Sequence, residues 1–374
     1  MSHILISVYI IRPLTKTILG AMEKAGVKDY NIVAGRSPQI EEKSNQGGFL
    51  SLLFPGTGIV DEPVDVIQFL VSEDKEDAIL KYLISEGQLM MSGRGSIYSE
   101  NVEVPKAHNL CVVNQVQDVP AVDNVDMLEE LSAVCCIVQR GQGQSIAQAA
   151  LESGVGAPNV TFGVGTGVRD NMGLLRITIP ANIELVWMTT SNQDVDMVMN
   201  TMINAGRLDQ PGKGFIYNFP LRKGVLNMQV SKGNKRSVAS SEQIVSALDR
   251  LQGGADWRRR DSSGEASDRT YLKNLLDFTL ICDEGGADAL VPIAMASGAA
   301  GATITKMAHV GETTDNNPSL SKSRESCKMI VSSEASKNII SALDSAEAFG
   351  DKYHGQIVTH QTQKAFTYLG GAKK

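Results

Sequence analysis

Short apolar runs rich in β-branched residues alternate along this chain with longer stretches whose apolar residues recur every third or fourth position. The first run, ILISVYIIR (4–12), predicts a strand. TKTILGAMEKAG (15–26) follows with Ile18, Leu19, Met22 and Ala25 at helical spacing, and Gly26 closes it as a helix C-terminus favours. YNIVAG (30–35) and VIQFLV (66–71) predict strands on either side of a polar stretch around EEKSNQGG. In SEDKEDAILKYLISEG (72–87), Ser72 is placed to cap, acids fill the first turn, and Ala78, Ile79, Tyr82 and Leu83 form a stripe. GRGSIY (93–98) opens a fourth strand.

The order returns from residue 132. SAVCCIVQR, NVTFG (159–163), IELVWMT (183–189) and FIYNFPL predict strands, and SIAQAALESG (145–154) and TSNQDVDMVMNTMINAG (190–206) predict helices. A third passage is weaker: FTLIC (278–282), ATITKMAHVG (302–311), CKMIVS (327–332) and HGQIVTH (354–360) as strands, 286–298 and 334–350 as helices. Strand-helix-strand-strand-helix-strand is the split βαβ order. The expectation is an α+β protein of three tandem ferredoxin-like (βαββαβ) repeats at 1–104, 132–230 and 271–374, forming a single-chain pseudo-trimer. Residues 105–131 and 231–270 would link them, the second with a probable helix at 240–252 and the run TrpArgArgArg (257–260). VIQFLV and IELVWM are apolar almost throughout, as strands covered on both faces are.

Charge narrows the function classes. The 374 residues carry a formal net charge of −7, with a sequence pI near 5.4, so no global basic field is available to hold a nucleic acid. The five cysteines, Cys111, Cys135, Cys136, Cys282 and Cys327, contain no CxxC pair and fit a reducing setting. Cys135 and Cys136 must face opposite sides of their strand. No basic n-region opens the chain and no apolar run reaches a membrane span, so the expected location is cytoplasmic. No HExxH or GxSxG motif points to an enzyme. His309, His354 and His360 fall in the third passage without the spacing of metal ligands, so no metal and no prosthetic group are expected.

Three glycine-rich places are candidate chemistry. In GRLDQPGKGFIYNFPL (206–221), Gly212 and Gly214 would let backbone N–H groups approach a phosphate, with Lys213 adding a point charge; a plain turn after Pro211 is the bland alternative. GVGTG, with Gly163, Gly165, Thr166 and Gly167, would be a glycine nest with a hydroxyl, or a loop without a ligand. Gly93, Arg94 and Gly95 form a basic counterpart of the first, facing Arg36 in AGRS (34–37). GQG (141–143) lacks the third glycine and later acid of a dinucleotide motif and reads as a turn opening a helix.

RGQGQSIAQAALESG, TFGVGTG and AGRLDQPGKGFIYNFPL carry a resemblance: the chain resembles the PII signalling proteins (nitrogen regulatory protein P-II), most strongly in its middle third. The resemblance implies a regulator rather than an enzyme, binding ADP, AMP or ATP in clefts between repeats and acting on a target enzyme or membrane transporter through mobile loops, here 36–49, 165–174 and 311–325. It implies nitrogen regulation as the setting. The chain departs from the pattern where Phe215 takes the place of the usual lysine after the second glycine, and Arg222 with Lys223 stands in for the phosphate-holding arginines. A ligand-free scaffold is the alternative, and a metal-binding CutA-like protein a lesser one.

Overall fold

The structure is a computed structural model and describes residues 2–42, 57–111, 113–167, 181–227, 269–311 and 320–369. Its first third comprises β1 (Ser2–Ile11), α1 (Thr15–Lys24), β2 (Tyr30–Glu42), β3 (Thr57–Val71), α2 (Glu76–Gly87) and β4 (Gly95–Glu103). Next come β5 (Leu128–Gln139), α3 (Gly143–Glu152), β6 (Asn159–Gly167), β7 (Ala181–Ser191), α4 (Val195–Gly206) and β8 (Phe215–Val225). The last third holds β9 (Leu275–Asp283), α5 (Ala287–Ala296), β10 (Gly301–Val310), β11 (Ser323–Ser332), α6 (Ser333–Ser345), β12 (Gln356–Gln361) and β13 (Lys364–Thr367). The helix expected at 240–252 and the run at 257–260 lie outside the described residues.

Three tandem ferredoxin-like repeats assembled as a pseudo-trimer are not the architecture, and that expectation is corrected. All thirteen described strands run in one continuous sheet, which closes into an antiparallel barrel of ten strands with six α-helices among the described residues. The overturning feature is edge pairing. Separate four-stranded sheets would each leave two rows of unpaired N–H and C=O groups, and closure removes them. Ile32 of β2 pairs with Ala308 of β10, Gly35 of β2 with Thr161 of β6, and Gly301 of β10 with Gly167 of β6. Elsewhere Glu103 of β4 pairs with Thr359 of β12, and Tyr98 of β4 with Gly224 of β8. Glycines permit the closest approaches: a Cβ on Gly224 would sit 2.2 Å from Ile97 O, and one on Gly163 would sit 2.8 Å from Ile304 O.

Period-two alternation decides what faces where. On β9, Phe278, Leu280 and Cys282 pack outward with Leu290, Val291 and Ile339 of α5 and α6, whereas Asp277 meets Tyr217 and Thr279 and Ile281 line the barrel lumen. Cys136 joins the core under α3 and α4, while Cys135 joins Tyr9, Leu185, Tyr217 and Phe219 inside the barrel. Three helix-covered cores therefore surround a fourth, inner one. Ser332 caps α6, its side chain accepting from Ala335 N.

Residues between β4 and β5 form a strap rather than a loose connection. Asn114 accepts from the N–H groups of Lys28 and Asp29 at 2.8 and 2.9 Å. Its amide donates to the carbonyls of Asp29 and Leu70 at 2.8 and 3.1 Å. Nearby, His108 N donates to Gly355 O at 2.8 Å, so the strap reaches the last third of the chain.

Candidate functional site

The lumen contains a group of ionisable side chains, each placed by the inward register of a different strand. Asp277 of β9 is fully buried. Lys328 of β11 donates to both of its carboxylate oxygens, at 2.8 and 2.6 Å, and to Thr279 Oγ1 at 3.2 Å. Tyr217 of β8 donates to Asp277 Oδ2 at 2.6 Å. Lys328 also lies 5.5 Å from the centre of the Trp187 ring. Burial alone would raise the Asp277 carboxyl, but Lys328, His360 and the Tyr217 hydroxyl together hold it below the usual range.

His360 of β12 completes the group. Its Nε2 lies 3.4 Å from Asp277 Oδ2 and its Nδ1 3.3 Å from Glu100 Oε2 of β4, with the Phe219 ring centre 4.1 Å away. Burial pushes His360 down to about 4. Burial pushes Glu100 up to about 8, against the pull of Lys328 and with a further push from Asp277. Both are neutral near pH 7. Neither Glu100 Oε2 nor His360 Nε2 closes a hydrogen bond.

Beside this group is an interior cavity of about 120 Å³, lined by Leu5, Gln68, Leu185, Ser326 and others as well as Glu100, Lys328 and His360. His360 also lines a cavity of about 410 Å³ at the barrel mouth, together with Asn101, Glu103, Arg222 and Gln361. At the far end of the interior cavity stands Asp29. Burial pushes its carboxyl up to about 7, and its Oδ2 lies 3.6 Å from His309 Nε2. The thiols and the phenol near these groups are held protonated: burial pushes the Cys135 thiol up to about 12 and raises Cys136 and Tyr217 well above their ordinary values, and a hydrogen bond with Cys282, with burial behind it, does the same for Cys327.

The residues singled out from sequence lie elsewhere. Gly163, Gly165, Thr166 and Gly167 are part of β6, extended between β7 and β10, and Thr166 Oγ1 donates to Ala302 O at 3.4 Å. Arg36 donates to Asp61 Oδ1 at 2.8 Å and to Gln144 Oε1, and its Nη2 lies 3.5 Å from Glu184 Oε1. Arg222 donates to both Glu76 oxygens at 3.0 and 3.1 Å, to Asn101 Oδ1 at 2.9 Å and to Glu73 Oε1 at 2.9 Å. Arg94 Nε donates to Gly87 O at 2.9 Å, closing the end of α2.

Gly93 and Gly95 (φ +78° and +147°) and Gly212 and Gly214 (φ +68° and +143°) frame their cations alike. Lys213 is half-buried and forms no ion pair among the described residues. Of the loops expected to order on binding, 43–49, 168–174 and 312–319 lie outside the described residues.

Two carboxylates occupy places where an anion would sit. Glu184 Oε2 accepts from Gly141 N and Gly143 N at 2.9 and 2.8 Å, filling the turn that opens α3. Glu325 Oε2 does the same at α5, accepting from Gly285 N and Ala287 N at 3.1 and 3.0 Å. Among the described residues His108, Asp351 and His354 bring three ligand atoms within 4.8 Å of one another. There, Leu110 N donates to His108 Nδ1 at 3.2 Å, which leaves the proton on Nε2 to donate to Asp351 at 3.1 Å.

Sequence reading missed Glu100, Asp277 and Lys328 and left His360 unplaced. The usable signal was a charge at the inward position of an otherwise apolar strand, as in LLDFTLIC and SCKMIVS.

No protein-family model matches the chain, and no curated protein sequence matches it. Among solved structures it is similar in part to Arabidopsis thaliana PII bound to citrate: 21% identity, over 25% of this chain and 79% of that one, with a TM-score of 0.20. A likeness of that size supports no argument about fold or ligand.

Proposed function

We propose that this protein is a non-catalytic, small-ligand-binding regulator whose effector is an adenine nucleotide held at the Gly212–Lys213–Gly214 turn. The observation that carries the reading is the state of Lys213. Arg36, Arg94 and Arg222 are committed to carboxylates or a carbonyl, whereas Lys213 sits between two glycines of positive φ with no ion pair among the described residues. An ammonium beside the open Gly212 position suits a phosphate group. The raised thiols Cys135, Cys136 and Cys327 support binding over thiol catalysis, and a regulated partner protein belongs to the same proposal.

Isothermal titration with ATP, ADP and AMP, repeated on Lys213→Ala, tests this. The expected result is binding by the native chain and at least a tenfold loss in the variant. Absence of heat, with an unmoved melting temperature, would leave the turn without an anion and sink the proposal.

A further inference from the structure

The lumen has the properties of a ligand site independent of the outer turn. The interior cavity of about 120 Å³ approaches the ~150 Å³ of a protein cavity that takes up benzene. Its walls mix apolar side chains such as Leu5, Val66, Leu185 and Val358 with polar ones, the ionisable Glu100, Lys328 and His360 among them. At the Glu100 end the charge is already matched: all three Lys328 protons are placed on Asp277 and Thr279. A ligand bearing a full charge would find no free counter-charge there and would lose its hydration. Two buried polar atoms at the cavity, Glu100 Oε2 and His360 Nε2, lack hydrogen bonds, and buried groups of that kind cost stability until something satisfies them. His360 also lines the second cavity of about 410 Å³, so it stands between the two.

We propose that the barrel lumen binds a compact uncharged molecule whose carboxamide or undissociated carboxyl head meets Glu100 and His360 while its short apolar body lies along the lumen wall. Either head offers one donor and one acceptor on the same edge, which is the complement of a protonated carboxyl beside a neutral imidazole. Glu100 is faced by Asp277 of β9, Lys328 of β11 and His360 of β12, with Tyr9, Tyr98 and Cys135 nearby. Its proton is lost above about 8, so binding weakens there.

The test uses butyramide and butyrate as probes, followed by saturation-transfer NMR and calorimetry on the full chain. Butyramide is expected to bind below the Glu100 value of about 8 and to weaken about tenfold per pH unit above it. Butyrate should weaken by the same factor from its own carboxyl range upward, which separates the two head groups. Glu100→Gln keeps a neutral donor and acceptor and should make butyramide binding independent of pH. Val66→Phe, checked for folding by its melting curve, should fill the lumen and abolish binding of both probes, whereas Lys213→Ala should leave it intact. No binding of either probe at millimolar concentration would overturn the proposal. So would binding that survives Val66→Phe in a folded protein, or a pH profile unchanged in Glu100→Gln.

Discussion

Lys328 and Lys213 are the same side chain in opposite circumstances. Inside the barrel, Lys328 has all three protons placed and a fully buried carboxylate as partner; on the outer turn, Lys213 has no ion-pair partner among the described residues. The first is a structural charge whose removal strands another. The second forms no such pair among the described residues. The same contrast separates Lys213 from Arg94, which has the same glycine frame and similar φ angles but spends its guanidinium on Gly87 O. A shared motif therefore specifies a backbone frame, and the cation's other neighbours decide whether a site exists.

The contrast predicts a graded series. The largest effect belongs to Lys328→Ala, which leaves Asp277 buried without its counter-charge and should destabilise the fold by about 3–5 kcal/mol in urea denaturation. A loss under ~1 kcal/mol would mean that Asp277 takes up a proton instead and that the pair is not structural. A second effect comes from pH. Glu100 at about 8 and Asp29 at about 7 are raised above their unfolded values. Their contribution is full below the unfolded carboxylate range and is lost as pH rises through those values. His360 and His309, both lowered to about 4, contribute above their unfolded value and lose it as pH falls through 4. The melting temperature should accordingly decline from about pH 6.5 to about pH 8, and Glu100→Gln should flatten part of that decline. The glycine frame gives a smaller contrast. Alanine at Gly212 meets open space at φ +68° and should cost about 1 kcal/mol, whereas at Gly214 its Cβ would lie 2.5 Å from Ile137 O and should cost more. The smallest effect is Lys213→Ala, within about 0.5 kcal/mol of the native chain, with its consequence confined to nucleotide binding.

Much of the local structure was legible in the sequence because local rules govern it. Of the expected stripe Ile18, Leu19, Met22 and Ala25, all but the half-buried Leu19 are buried as helical spacing requires, and Cys135 and Cys136 fall on opposite faces of β5. What was not legible was decided between distant strands. GVGTG reads as a loop by glycine content, yet it is strand because β10 lies alongside and its glycines admit that close contact. The closing pairs, β2 with β10 and β4 with β12, leave no periodic signature, since an edge that will be paired looks in sequence like one that will not. The candidate site was hidden for the same reason. Glu100, Asp277, Lys328 and His360 come from four strands, and only closure makes them neighbours. The short strand β13, pairing Phe215 with Thr367, had no sequence signal at all.

Closure also sets a clock. Thr359 of β12 pairs with Glu103 of β4, so a growing chain that has already made β4 waits roughly 250 residues for its partner, some tens of seconds at ribosomal rates of about 5–20 residues per second. Throughout that wait part of a sheet edge faces solvent, and refolding in vitro must find the same distant pairing. Such long-range closure places the protein among slow folders. A nascent chain halted before residue 356 should be far more prone to self-association than the finished barrel.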